Sequence, residues 1–316
     1  MASNRVTADG YVYIALEQLM ALEPRARGLS FVARQPLSSI LSGNHGSRLR
    51  GRGLSFDELR HYQPGDDLRH LDWRASLRFG KPFVRTFNEE RDRPTLLLVD
   101  QRMSMYFGSQ RYFKSVTAAQ LAALCAWMAF HAGDRVGGLV MGSDGLAQVR
   151  PLRSRSRVQA LCAAVTRANH SLSALGEDPH SDGQLDQALR TCVAVAGHDH
   201  LICIISDFAG VSPQTLPLLR QLRAHNDVIA IQVYDPIALN VPDKGHLTIT
   251  QGTLQVELQV GQRQVNRPLS EFLAGRLRDV AELLQRSQVP LLMISTGQDS
   301  LEQLRKELGR LAQVAR

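Results

Sequence analysis

The stretch Thr95-Leu-Leu-Leu-Val-Asp100 decides the fold. Its apolar run is unbroken, too short for a helix, and closed by an acid, so it reads as a strand buried on both faces. Such strands belong to parallel sheets covered by helices on either side. Outward from it, Val116–His131 repeats Leu121, Leu124, Cys125 and Met128 at helical spacing. A strand is predicted at Arg135–Met141, an antiparallel partner around Gln148–Leu152, and a helix from about Ser154 to Ala168. After a polar loop (Ser171–Asp182) come a helix from about Gly183 to Ala196, a strand at Leu201–Ser206, a helix over Pro213–His225 and a strand at Asp227–Tyr234. The end repeats the theme with a helix from about Ser270 to Ser287, a strand at Val289–Ser295 and a helix over Ser300–Leu311. The alternation predicts an α/β fold, a Rossmann-like, mostly parallel sheet with helices on both faces. Gly245–Arg267 instead alternates apolar and polar residues around Gln251-Gly252, which predicts a β-hairpin insertion. Residues 1–94 read as a basic N-terminal extension, with a helical start at Asp9–Leu22, packed on a core of residues 95–316.

The chain has 316 residues, 44% hydrophobic and 21% charged, which excludes a disordered or fibrous protein. No run approaches the roughly 20 apolar residues of a membrane span, and the first residues lack a signal-peptide layout, so a cytoplasmic location is expected. The four cysteines (Cys125, Cys162, Cys192, Cys203) sit far apart in apolar runs and read as buried thiols. Lys and Arg number 37 against 30 acids. Two stretches, Arg25–Arg52 and Arg150–Arg167, carry arginines and no acid, and such fields attract nucleic acid, anionic lipid or an acidic protein.

Two predicted strands end in an acid, Asp100 and Asp207. In open α/β sheets ligands bind beyond the carboxyl ends of the strands, where the strand order reverses. If the two strands are neighbours there, their carboxylates converge, and with a hydroxyl they make oxygen ligands suited to Mg²⁺.

A longer pattern precedes the sheet. Gly51-Arg-Gly-Leu-Ser-Phe56 is followed by Arg60, Tyr62, Pro64-Gly65-Asp66-Asp67, Arg69, Asp72-Trp73 and then Glu90-Arg91. This Tyr-x-x-Gly-Asp-Asp-x-Arg-x-x-Asp-Trp pattern resembles the signature of the domain-of-unknown-function family 58. The resemblance implies a von Willebrand factor type A-like fold with an N-terminal extension, and association with MoxR-type AAA+ ATPases and other von Willebrand type A proteins. It further implies a metal-ion-dependent adhesion site of the form Asp-x-Ser-x-Ser, a threonine, and a second aspartate. Asp100, Ser104 and Asp207 match that form. Arg102 replaces the first serine, and Asp182-Gly183-Gln184 stands where the threonine belongs. A guanidinium can itself neutralise two carboxylates, so the expectation is a degenerate site in which Arg102 takes the place of Mg²⁺ charge.

In the signature, Pro64-Gly65 predicts a turn, Asp66 or Asp67 a helix cap, Arg69 and Asp72 a pair on one face, and Trp73 an anchor onto the sheet. A network of Arg60, Asp66, Asp67, Arg69, Asp72, Arg78, Glu90 and Arg91 either ties the extension to the core or docks a partner. P-loop and Gly-x-Ser-x-Gly motifs are absent, and the alternating His198 and His200 lack a matched ligand.

The expectation is therefore a non-enzymatic interaction or adaptor module for a MoxR-type ATPase, with no cofactor, with Mg²⁺ disfavoured and with no small-molecule substrate. Docking would use Asp100, Ser104 and Asp207 together with the basic strip Arg48, Arg50 and Arg52. Membrane association is expected only through a partner. Two alternatives come from other classes: a nucleic-acid-binding protein using the Arg25–Arg52 strip, whose affinity would fall steeply with salt, and a Mg²⁺-dependent hydrolase using the same aspartates.

Overall fold

A computed structural model of the chain describes residues 9–31, 54–89, 93–174, 183–240, 245–251, 254–260 and 263–314. Arg34, Arg48, Arg50, Arg52, Glu90, Arg91 and Asp182 lie outside the described residues. Two compact units are present: Gln35–Asp92, and Met1–Arg34 together with Arg93–Arg316.

The larger unit is built on six strands: β3 (Pro94–Asp100), β4 (Arg135–Gly142), β5 (Gly145–Leu152), β6 (Leu201–Ser206), β7 (Asp227–Tyr234) and β10 (Leu291–Ser295). Their order is β10-β7-β6-β3-β4-β5, and all pairs are parallel except β4 with the edge strand β5. This is the mostly parallel, Rossmann-like sheet expected, with helices on both faces. Chain order reverses between β3 and β6, which are hydrogen-bonded neighbours.

Strand alternation divides the core into two layers. Leu97, Val99, Cys203, Ile205, Val233 and Ile294 point to one face, which is covered by α4 (Lys114–His131), α5 (Arg155–His170) and α9 (Ser300–Val314). Leu96, Leu98, Ile202, Ile204 and Ala230 point to the other, under α6 (Gln184–Val195), α7 (Thr215–His225) and α8 (Arg263–Arg286). Helix α4 is buried along nearly its whole circumference, as a central helix must be. Part of its cover comes from α1 (Leu16–Met20) and α2 (Glu23–Ala26), whose Leu19 and Ala26 join the same core.

That cover corrects the boundary read from sequence. The helical start belongs to the sheet unit, and Gln35–Asp92 forms a second compact unit. The N-terminal segment is held specifically within that unit: the Ile14 N–H donates to Asn169 Oδ1 at 3.0 Å, and Arg155 Nη2 donates to Glu23 Oε2 at 2.8 Å. The hairpin is present as β8 (Gly245–Gln251) and β9 (Leu254–Val260), with Gly245 opposite Val260. It ends earlier than the alternation suggested, because α8 already begins at Arg263.

The four cysteines are buried free thiols. Burial pushes Cys162 and Cys192 up to about 12, and a hydrogen bond to Cys203, reinforced by burial, raises Cys125. A thiol reagent should therefore label none in the native protein and all four after unfolding. Colorimetric titration of thiols with and without denaturant checks this.

Candidate functional site

Because β3 and β6 are neighbours, Asp100 and Asp207 emerge side by side at their carboxyl ends, as the switch-point reading requires. Asp100 is completely buried and Arg102 is 4% exposed. The guanidinium grips the carboxylate in two places, Nε to Oδ1 at 2.9 Å and Nη2 to Oδ2 at 2.7 Å, and Nη2 also donates to the Ala209 carbonyl at 3.0 Å. The Arg102 N–H adds a bond to Oδ1 at 3.0 Å and the Ser206 hydroxyl one to Oδ2 at 2.6 Å. Both oxygens of Asp100 are thus engaged by protein donors, in the bidentate geometry that favours arginine.

Asp207 has its own cation. Lys114 Nζ lies 2.6 Å from Oδ2, while Oδ1 accepts from Ser104 Oγ at 3.2 Å and from the Ala209 N–H at 2.9 Å. Burial alone would raise this carboxyl, but the Lys114 charge and hydrogen bond, the Ala209 N–H and the Arg102 charge overcome it and hold Asp207 at about 2. The turn that places these groups is strained: Phe208, next in the chain, has φ of 55°, a left-handed conformation that costs a bulky residue about 1–3 kcal/mol. The Phe208 N–H donates to Ser206 Oγ at 2.8 Å, which helps fix the turn.

The residues do not fit a Mg²⁺ centre. The ion needs octahedral oxygen ligands, and the carboxylate oxygens that would serve already face a guanidinium and an ammonium. Gly183 caps α6 with φ of 81° and offers no side chain where the threonine would stand. Three residues on, Asp186 accepts instead from the hydroxyls of Ser212 and Thr215. Among the described residues no group of three or more His, Cys, Asp or Glu is arranged to hold a metal. His198 and His200 are loop residues, His200 Nδ1 lying 3.0 Å from the His198 carbonyl.

Three participants were not foreseen. Lys114 opens α4, whose first turn holds no acid. A cation at that end opposes the helix dipole, and this anomaly was the available signal of a buried carboxylate. Ser206 is a small polar residue ending an apolar strand. Asp235 is a third strand-end acid, following β7; it accepts from the Ser109 N–H at 2.8 Å, from Thr296 Oγ1 at 2.7 Å and from the Ser109 hydroxyl. It ties the loop after β3 to the ends of β7 and β10.

The signature residues form the smaller unit. Strands β1 (Leu54–His61) and β2 (Phe83–Glu89) pair antiparallel with an irregularity between Phe56 and Leu59. The Tyr62 N–H donates to the Pro82 carbonyl at 2.9 Å, and Gly65, at φ of 107°, makes the turn that a side chain would resist. Arg60 holds Asp66 with Nη2 to Oδ1 at 2.6 Å; this bond, with the Gln63 N–H, keeps Asp66 below the usual carboxylate range. Asp67 caps a single 3-10 turn (Leu68–His70), and its bonds to the Arg69 side chain and N–H hold it at about 2.

The expected Arg69–Asp72 pair does not form. Leu71 breaks the helix, so the two residues are not on one helical face. Asp72 instead caps α3 (Trp73–Phe79) through the Ala75 N–H at 2.9 Å and pairs with Arg85 Nε at 2.7 Å. Those two contacts keep its pKa below the ordinary value. Trp73 is also corrected as an anchor: it is 69% exposed. Asp72→Asn should keep part of the cap and weaken the Arg85 contact, whereas Asp72→Ala loses both. Amide hydrogen exchange at Ala75 and Ser76 should accelerate in the order wild type, Asn, Ala.

No helix among the described residues is long and apolar enough to cross a membrane. At the level of sequence the chain is 28% identical over 276 residues to the uncharacterized protein Rv1480 of Mycobacterium tuberculosis (strain H37Rv), covering 87% of this chain and 85% of that one. The same figures hold for the uncharacterized protein Mb1516 of Mycobacterium bovis. Among solved structures it resembles the conserved hypothetical protein BatB from Bacteroides thetaiotaomicron, with a TM-score of 0.40 and 10% identity over 69% of this chain and 98% of that one. A similar likeness, with a TM-score of 0.39 and 11% identity over 68% of this chain and 98% of the other, is to an aerotolerance-related membrane protein from Bacteroides fragilis. The model of the family described as "Protein of unknown function DUF58" matches residues 58–274, and the chain belongs to that family.

Proposed function

We propose that the chain is a non-enzymatic interaction module, an adaptor for a MoxR-type AAA+ ATPase, whose adhesion-type site has been closed by its own cations. The observation that carries this reading is the double occupation of the switch point: the Arg102 guanidinium on Asp100 and the Lys114 ammonium on Asp207. Two carboxylates are matched by two cations, so charge balance is reached without Mg²⁺ and a metal-activated water has no ligand set to form on. The hydrolase reading loses its chemistry for the same reason. What is left at the carboxyl end is a charge-balanced face without an open carboxylate, suited to recognition by shape. The ATPase would supply the energy and this chain the recognition.

Affinity capture of the full chain from its host, with ATP, with ADP and without nucleotide, tests the adaptor role. A MoxR-type ATPase should be recovered in amounts that change with nucleotide. Its absence under all three conditions overturns the reading.

A further inference from the structure

The signature unit carries an exposed surface that the switch-point face does not explain. Along α3, Ala75 is buried, Ser76 Oγ accepts from the Phe83 N–H at 2.9 Å, and the Phe79 ring lies 5.4 Å from that of Phe83. These three face the hairpin. At 100° per residue the opposite arc runs Trp73, Leu77, Arg74, Arg78. Trp73 is 69% exposed and Leu77 83% exposed. From Trp73 to Asn88 the sequence holds no acid. Arg85 is taken up by Asp72, whereas Arg74, Arg78 and Lys81 make no ion pair among the described residues.

We infer that this arc is a docking surface for an anionic lipid bilayer. A tryptophan and a leucine beside two arginines are the composition of a helix that lies at a membrane interface, with the indole at headgroup level and the cations on lipid phosphates. A second copy of the chain is disfavoured by charge, because a two-fold contact on this arc would bring both sets of cations together. An acidic protein would have to supply a pocket for two protruding side chains, while a bilayer yields to them. The arc is short, so binding is weak and reversible, each cation contributing about fivefold to partitioning near an anionic surface.

The chain contains its own reporter. It has two tryptophans, and Trp127 is completely buried, so solvent-exposed indole emission comes from Trp73. Full-length protein is titrated with vesicles of phosphatidylcholine alone and of phosphatidylcholine with phosphatidylglycerol, at low and high salt. The Trp73 emission should move to shorter wavelength and resist acrylamide quenching only with the anionic vesicles, and salt should reverse both changes. Arg74→Glu/Arg78→Glu should lower vesicle partitioning at least tenfold, and Trp73→Ala/Leu77→Ala should abolish co-sedimentation. Both variants should keep the wild-type melting temperature, since none of these side chains packs in the core. No spectral change on anionic vesicles overturns the inference. So does equal co-sedimentation of wild type and both variants, or a shift produced by an acidic polyglutamate peptide but not by vesicles, which would assign the arc to an acidic protein partner.

Discussion

Replacing Arg102 by alanine should lower the melting temperature of the sheet unit by about 10 °C, the largest effect expected of any single substitution at the switch point. The reasoning is that Asp100 is completely buried and its two oxygens lean on the guanidinium. Removing one partner of a buried pair leaves an uncompensated charge and costs about 3–5 kcal/mol, and in a unit of this size each kcal/mol moves the midpoint by about 2–4 °C. Lysine should rescue only in part. Its single ammonium cannot grip both oxygens and also donate to the Ala209 carbonyl as Arg102 does. Differential scanning calorimetry of wild type, Arg102→Lys and Arg102→Ala should rank them in that order.

Lys114→Met should be next, at about 3 kcal/mol, and its signature is in the pH dependence. In the native protein Asp207 titrates at about 2 against an ordinary value of 3.8. A carboxyl with a depressed folded-state pKa contributes stability that is fully present above the ordinary value and lost as the pH falls toward the folded one. The wild type should therefore lose this contribution only between about pH 4 and pH 2. Without the ammonium, burial acts against the charge with less opposition and the native pKa rises toward the ordinary value or past it, so the contribution is already missing at neutral pH and little of it is left to lose in acid. Urea unfolding followed stepwise from neutral to acid pH should show the gap between wild type and Lys114→Met at its full size above about pH 4 and closing as the pH falls toward about 2. Coincident curves would mean that Lys114 does not govern Asp207.

Much of the architecture was legible because buried parallel strands leave a plain mark. Thr95–Asp100 and Leu201–Ser206 each read as apolar runs closed by polar residues, and the neighbouring strands that the acids at their ends required are found in the pairing of β3 with β6. Arg102 was legible as a departure from a motif. Lys114 was hidden because it lies far along the chain from Asp207 and reaches it only after folding.

The signature misled for a local reason. Arg69 and Asp72 have helical spacing, but Leu71 takes an extended backbone and divides one apparent helix into a 3-10 turn and α3. Trp73 then starts a helix whose small residues, Ala75 and Ser76, face the hairpin, so the indole is turned outward. Composition suggested burial; the phase of the helix decided otherwise. The basic strip Arg48–Arg52 lies outside the described residues.

In the reading proposed above, Arg102 and Lys114 supply the positive charge that a metal ion would otherwise bring to Asp100 and Asp207. Isothermal titration of the wild-type chain and of Arg102→Ser/Lys114→Ala with Mn²⁺ and Mg²⁺ tests it most directly, since the double variant removes both cations and restores the Asp-x-Ser-x-Ser form around Asp100, Ser104 and Asp207. The wild type should give no binding heat, and the variant should give measurable binding with a metal-dependent rise in melting temperature. Micromolar binding of either ion by the wild type would contradict it.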